Sequence, residues 1–401
     1  MIKNIFLFDP LWSGHHPTYF KYFIKYILEL GCQVYAFCPD PLGVNKWVSK
    51  NVCSNKMFDS FYFSDNEKNI FLKQKSLNNT FNVYMRWLSV LKKINITYKE
   101  KNVLPDLVLF PCLDNFMGVF LSPLLLDILF PYKWSGLYFQ PNYLRIRLKY
   151  WFIRKGLLKK DIIIKSSRCK AIAILDEGII KKCYKSFYRK PVVLFPDFAD
   201  LSAPDNNFIV SKQIKEKSDG RKIIGIVGSL SKRKGVLTLM DVARLTRNKP
   251  WFFVFVGELV EDSFNNEELK IIKKNKEQGS ENCFFNFNYI PDESKFNAII
   301  ELCDIIFATY EKFPHSSNLL TKAAFFKKMV IVNKGYCMSE RIHKYSIGLS
   351  INGNSVSDCI NAINYLCKKK NEINPKYNIY LNIHSQKRLK KSVEKLLRIS
   401  L

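Results

Sequence analysis

The sequence holds no Cys-x-x-Cys pair, no cluster of cysteine with histidine, and only five histidines in all. The sequence is therefore poor evidence for a zinc module. Eleven scattered cysteines, an odd number, read as small buried hydrophobes in a reducing cytoplasm rather than as a disulfide framework. No Asp-x-Asp pair occurs, so one compact carboxylate arrangement for a divalent cation is missing. Long apolar runs are missing too. The longest nearly apolar stretch, 118–131, is too short to span a bilayer and is broken by Pro123 and Asp127. The opening MIKNIFLFDP reads as a short strand without a cleavage pattern, so secretion is not expected. Neither a short-period repeat nor a low-complexity linker is present.

Acidic residues are scarce, 35 against 63 Lys and Arg, for a formal charge of +28. Residues 1–200 carry 30 basic and 15 acidic residues and the remainder 33 and 20. The excess is spread along the chain, as a general compositional bias would spread it, and no nucleic-acid motif accompanies it. One stretch stands above this background. Residues 144–170, LRIRLKYWFIRKGLLKKDIIIKSSRCK, hold ten Lys and Arg with a single Asp among large apolar residues. A basic helix here, with Arg145, Arg147, Lys149, Trp151, Arg154 and Lys155, would either lie on an anionic membrane or cover its own core face with Lys and Arg stems.

The chain alternates strand and helix signals twice, and 401 residues suffice for two domains. In the first half, apolar strands are expected at 4–8, 34–38, 105–110, 135–139 and 171–175, with a helix after the first loop and an ambiguous polar stretch at 45–80. Polar residues 203–220 read as the domain boundary. A second series follows, with strands at 223–227, 252–256, 284–287, 305–308, 330–332 and 349–351. The expectation is an α/β protein with two Rossmann-like, doubly wound domains facing a cleft: 1–200, 201–375, and a C-terminal helix in 376–401 packing back on the first domain.

The segment 223–258, IIGIVGSLSKRKGVLTLMDVARLTRNKPWFFVFVGE, is a complete strand, loop, helix, strand unit with cations in its first loop. Parallel sheets bind ligands beyond the carboxyl ends of their strands, so Gly228, Ser229, Arg233 and Lys234 are candidate contacts to an anionic, diphosphate-like ligand. Ser316, Ser317, Asn318 and Leu319 open a later helix whose unpaired N–H groups suit phosphate. Gly14, His15 and His16 follow the first strand, where glycine permits close approach and a histidine can bind hydroxyls or act as a base.

These residues, taken in order, resemble GT-B glycosyltransferases, specifically the large retaining, nucleotide-sugar-dependent group (family 4-like). IVGSLSKRKGVLTLMDVA, WFFVFVGE, FFNFNYIPDESKFNAIIELCDIIFATYE and NLLTKAAFFKKMVIVNKG carry the likeness over most of 192–365; the His loop, PDLVLF and LFPDFAD carry it more loosely in the first half. Two positions depart from the pattern. The group's Glu-x7-Glu motif falls here on Pro314 and Lys322, and an Arg that usually follows the first glycine is Ser229. The second Glu of that motif normally holds ribose hydroxyls, so nucleotide binding must be made differently here, or be weaker, or be absent.

The resemblance implies transfer of a hexose from a nucleotide sugar to a glycan or lipid-linked acceptor, in surface polysaccharide or glycolipid synthesis, with retention and without metal or other cofactor. It places Lys234 on the diphosphate, Lys322 near the donor, Glu311 on the donor sugar, and His15, His16 or Asp114 on the acceptor side. It also implies a cytoplasmic protein, peripheral on the inner face of the plasma membrane, with no nucleic-acid partner. A GT-B sugar-nucleotide epimerase and a non-catalytic GT-B protein binding glycan or membrane are the alternatives.

Overall fold

The computed structural model describes residues 2–12, 14, 16–52, 57–63, 79–145, 160–290, 292–352, 355–369 and 372–401. Two compact units result: Met1–Pro196 with Gln386–Leu401, and Asp197–Ser385. Each is an open parallel sheet with helices, as the alternation of apolar runs and amphipathic segments requires.

In the first unit, β1 (Asn4–Phe8), β2 (Gln33–Cys38), β3 (Phe58–Tyr62), β4 (Leu107–Phe110), β5 (Trp134–Tyr138), β6 (Cys169–Ile174) and β7 (Val192–Leu194) pair in the order β3-β2-β1-β4-β5-β6-β7. Every described pairing is parallel. The longer helices described before residue 190 are α1 (His16–Glu29), α2 (Pro41–Asn51), α3 (Asn79–Lys101), α4 (Pro123–Leu129) and α5 (Ile180–Ser186). Aromatic residues fill the core: Phe8 stacks on Phe37 at 4.3 Å, and Trp87 meets Trp134 at 5.3 Å.

In the second unit, α6 (Ile209–Ser218) leads into β8 (Lys222–Val227), α7 (Val236–Leu245), β9 (Trp251–Val256), α8 (Asn266–Gln278) and β10 (Cys283–Asn286). Then come α9 (Glu293–Leu302), β11 (Ile305–Ala308), α10 (Leu319–Phe325), β12 (Met329–Asn333), α11 (Cys337–Tyr345), β13 (Gly348–Ile351), α12 (Val356–Lys369) and α13 (Tyr377–Ile383). The strand order is β10-β9-β8-β11-β12-β13. The final helix α14 (Gln386–Ser400) belongs to the first unit: Ser392 Oγ donates to the Leu194 carbonyl at 2.9 Å, and Lys390 pairs with Glu29 at 2.7 Å. Helix α13, by contrast, packs on α10 within the second unit.

The polar stretches were the hard ones to read. Residues 203–220 contain α6, which buries Val210 and Ile214. Residues 45–80 include the edge strand β3 and part of α2, whose Asp40 cap accepts from Gly43 N. Both sheets reverse strand order once, between β1 and β4 and between β8 and β11. At such a point the loops after neighbouring strands diverge and leave a crevice. Among the described residues, Gly14, His16, Asp114, Gly228, Ser229, Arg233, Lys234, Glu311 and Ser316–Asn318 lie on the loops that follow these four strands or where those loops enter a helix.

Candidate functional site

In the second unit, β8 ends at Val227 and Gly228 follows in the left-handed region at φ 97. The loop that follows is held flat: Gly228 N donates to Val256 O at 2.9 Å and Leu230 N to Glu258 O at 2.7 Å. A side chain at Gly257 (φ 131) would overlap the Gly228 carbonyl, so this approach demands glycine. Ser231 opens a single 3-10 turn, Lys232–Lys234; Gly235, at φ 80, interrupts it and α7 starts at Val236. The interruption turns Lys234 back over the end of β8. Its ammonium is 5.4 Å from the Tyr310 ring centre.

Arg233 lies on the same aromatic shelf, 4.5 Å from the Phe313 ring centre and 5.5 Å from that of Tyr310. Its carbonyl accepts from Glu311 N at 2.8 Å, which locks the loop after β11 onto the cationic turn. Among the described residues, no carboxylate pairs with either cation. Burial, and then repulsion from Arg233, pull the Lys234 ammonium down to about 8. Partial burial against Tyr310 and Phe313 lowers Arg233 in the same direction, although its side chain stays exposed where that of Lys234 is half-buried. Two adjacent cations without counter-ions, in partly dry surroundings, favour a multiply charged anion.

Ser316, Ser317 and Asn318 follow on the same loop, half-buried, and Asn318 caps α10 with no side-chain hydrogen bond. Leu319 begins the helix. Ser229 is exposed and Glu311 half-buried. Thr309, at the end of β11, has a buried hydroxyl without a partner among the described residues.

Lys322 does not join this group. It is buried, and its ammonium donates to the Asp200 carbonyl at 2.8 Å, Glu293 Oε2 at 2.7 Å and Asn297 Oδ1 at 2.6 Å. All three hydrogens are thus committed, and none is left for a ligand. Asn297 returns a bond to Ser202 O at 2.8 Å. Lys322 therefore ties α10 to α9 and to the segment entering the unit, a structural use in place of the expected donor contact.

In the first unit, the ends of β1 and β4 bring together Asp9, His16 and Asp114. The strand delivers Asp9 into the interior, 1% exposed. His16, at the start of α1, places Nδ1 2.8 Å from both Asp9 carboxylate oxygens. A carboxylate only accepts, so Nδ1 carries the hydrogen and Nε2 is the nitrogen left for chemistry. Burial works against charge on His16, but Asp9 outweighs it, with help from Asp114, and the imidazole is raised. Burial also raises Asp9, against the opposing pull of His16. Of the two directions the His16 one is firmer, because a carboxylate at hydrogen-bond distance stabilises imidazolium directly.

Asp114 accepts from Phe139 N at 2.7 Å and Gln140 N at 2.9 Å, yet burial holds it up at about 6. Replacing Asp114 with Asn is expected to lower the His16 pKa, and Asp9→Asn to lower it further, as read by NMR titration of the ring protons. An unchanged His16 titration in Asp9→Asn would dissolve the dyad.

Gly14 is exposed at φ 60. His15, Arg147, Lys149, Trp151, Arg154 and Lys155 lie outside the described residues. Arg145 is employed otherwise than expected: it forms a two-pronged pair with Asp176, at 2.6 and 2.7 Å, largely buried, so its charge serves the fold and not a lipid surface. Sequence reading missed three participants, Asp9, Tyr310 and Phe313. Each lies at or just after the end of a switch-point strand, the one signal that would have found them.

Residues 208–394 match the family model described as glycosyl transferases, group 1. That span takes in most of the second unit, Asp197–Ser385, which is similar to this family. No curated protein matches the chain in sequence. Among solved structures, sucrose-phosphate synthase of Thermosynechococcus elongatus is similar at TM-score 0.68 and 12% identity, covering 99% of this chain and 98% of that one. HepE of Anabaena, in complex with UDP and glucose, gives 0.64 and 10% over 99% and 100%. The UDP-forming trehalose-phosphate synthase of Burkholderia vietnamiensis gives 0.65 and 9% over 99% and 98%. At such identities the likeness establishes the fold, which is GT-B. The second unit carries the paired cations, and the first carries the His16–Asp9 dyad.

Proposed function

We propose that the protein transfers a hexose from a nucleotide sugar to a glycan or lipid-linked acceptor, with retention and without a metal, in the synthesis of a surface polysaccharide or glycolipid. The observation that carries this reading is the pair Lys234 and Arg233, unpaired among the described residues, at the switch point of the second unit. As the bond from the anomeric carbon to the diphosphate breaks, negative charge grows on the leaving oxygens. Fixed cations beside an uncapped helix start meet that charge without reorganising. With retention, the acceptor oxygen bonds to the anomeric carbon on the face the diphosphate leaves, and the hydroxyl proton passes to a leaving phosphate oxygen. Glu311 contacts the donor sugar in this reading. Nε2 of His16, aimed by Asp9, binds a sugar hydroxyl, and Asp114 supplies a second acceptor-side carboxylate.

The UDP and UDP-glucose complexes of HepE support a nucleotide sugar as donor. Thermal-shift measurements with UDP-, GDP-, ADP- and CMP-sugars test it. One of these is expected to raise the melting temperature, by linkage about 2.7 kcal/mol at a hundred times its dissociation constant. No shift with any of the four would reject donor binding. Isomerised nucleotide sugar released without an acceptor would identify an epimerase instead.

A further inference from the structure

Helix α4 of the first unit presents its apolar residues outward. Leu124 is 76% exposed and Ile128, one turn on, 77%, with Leu125 at 42%. Only Leu126 of this helix is fully buried. Phe120, just before it, holds a left-handed backbone at φ 56 and keeps its ring half exposed. A bulky aromatic in that region is strained, which the surrounding fold must sustain. The helix's one acid, Asp127, does not relieve this surface, because Ser166 Oγ and Ser167 N both donate to its carboxylate.

Exposed cations flank the turn on which this helix packs. Helix α4 packs against the turn Ile162–Lys165. Lys160, whose carbonyl accepts from Gly118 N at 3.0 Å, comes before that turn, and Arg168, whose N–H donates to Ser166 Oγ at 3.1 Å, follows it. Lys160, Lys165 and Arg168 are all exposed. An apolar ridge beside cations matches the cross-section of an anionic bilayer: acyl chains under the ridge, phosphates at the cations.

We infer that α4, with Phe120, is a membrane-docking ridge that inserts Leu124 and Ile128 into an anionic lipid surface. A second copy of the chain is the poorer occupant, since it would bring the same flanking cations against themselves in a protein of charge +28. The ridge serves the lipid-linked acceptor proposed above, and only its purpose rests on that reading. Vesicle binding needs no sugar transfer, so the two can fail separately.

The test is co-sedimentation of the full chain with vesicles of phosphatidylcholine alone or mixed with phosphatidylglycerol. Wild type should bind the mixed vesicles and scarcely bind the neutral ones. The pair Leu124→Asp with Ile128→Asp should weaken binding at least about ten-fold, and Lys160→Glu with Arg168→Glu should abolish the preference for anionic lipid. In a separate Ile128→Trp variant, brominated acyl chains should quench fluorescence beyond the wild-type level, a readout indifferent to the stability of the aspartate pair. The inference is overturned by absent wild-type binding, by undiminished binding of the aspartate pair, by no added quenching, or by a dimer that the aspartate pair dissolves without affecting lipid binding.

Discussion

Replacing Lys234 with methionine is expected to raise the melting temperature of the free protein while strongly slowing sugar transfer. The stability gain follows from the ammonium's position. Its pKa stands at about 8 against an ordinary 10.5, and at 1.36 kcal/mol per unit this corresponds to at most about 3 kcal/mol of penalty for holding the charge. Water that still reaches the ammonium reduces the figure. Between pH about 8 and 10.5 the folded protein binds fewer protons than the unfolded chain, so stability rises with pH across that window. Below it the penalty is complete. Methionine keeps the packed stem and removes the charge, so the gain should be largest at neutral pH and fade in alkali. In a unit of this size each kcal/mol is worth about 2–4 °C. Catalysis should fall roughly 10²–10³-fold, as when one fixed stabiliser of a developing anion is lost. A variant that is neither more stable nor less active would remove Lys234 from the site.

The second large effect is expected at Lys322, where a glutamate would restore the charge that the resembling group carries. Lys322→Glu should cost the second unit on the order of 3–5 kcal/mol, because it sets a buried carboxylate against Glu293, the Asp200 carbonyl and Asn297 Oδ1, all of which now accept from the ammonium. Lys322→Met should cost less, about 1–3 kcal/mol, since it only leaves those acceptors unpaired. Adding Glu293→Lys to Lys322→Glu should recover part of the loss. Urea denaturation reads all three. A Lys322→Glu protein as stable as wild type would show that the ammonium is not the tie its geometry describes.

The comparison of these two lysines shows what the sequence could and could not disclose. Lys234 was legible because its neighbours fix it: an apolar strand, glycines at 228 and 235, and a following amphipathic helix leave the cation only the end of the sheet. Lys322 was not. Helix α10 is short and buried from Leu319 to Ala324, so spacing names no ligand face, and the partners Asp200, Glu293 and Asn297 come from elsewhere in the chain. The strands were readable for the reason Lys234 was, since parallel strands covered on both faces become unbroken apolar runs. Edge strand β3 and helix α6 were lost among polar residues. In the sequence Asp9 is indistinguishable from an ordinary residue closing a strand, and only the fold shows that the strand's end carries it to His16.

Lys234 is a partly desolvated cation, without a carboxylate partner among the described residues, held ready for a diphosphate. Calorimetric titration of inorganic pyrophosphate into the wild-type protein, on either side of pH about 8, tests this central claim most directly. The account predicts binding accompanied by proton uptake near that pH, as the anion raises the Lys234 pKa, with affinity weakening as pH rises further, and neither behaviour in Lys234→Met. Pyrophosphate affinity that is flat across this range, or equal in Lys234→Met, would contradict it.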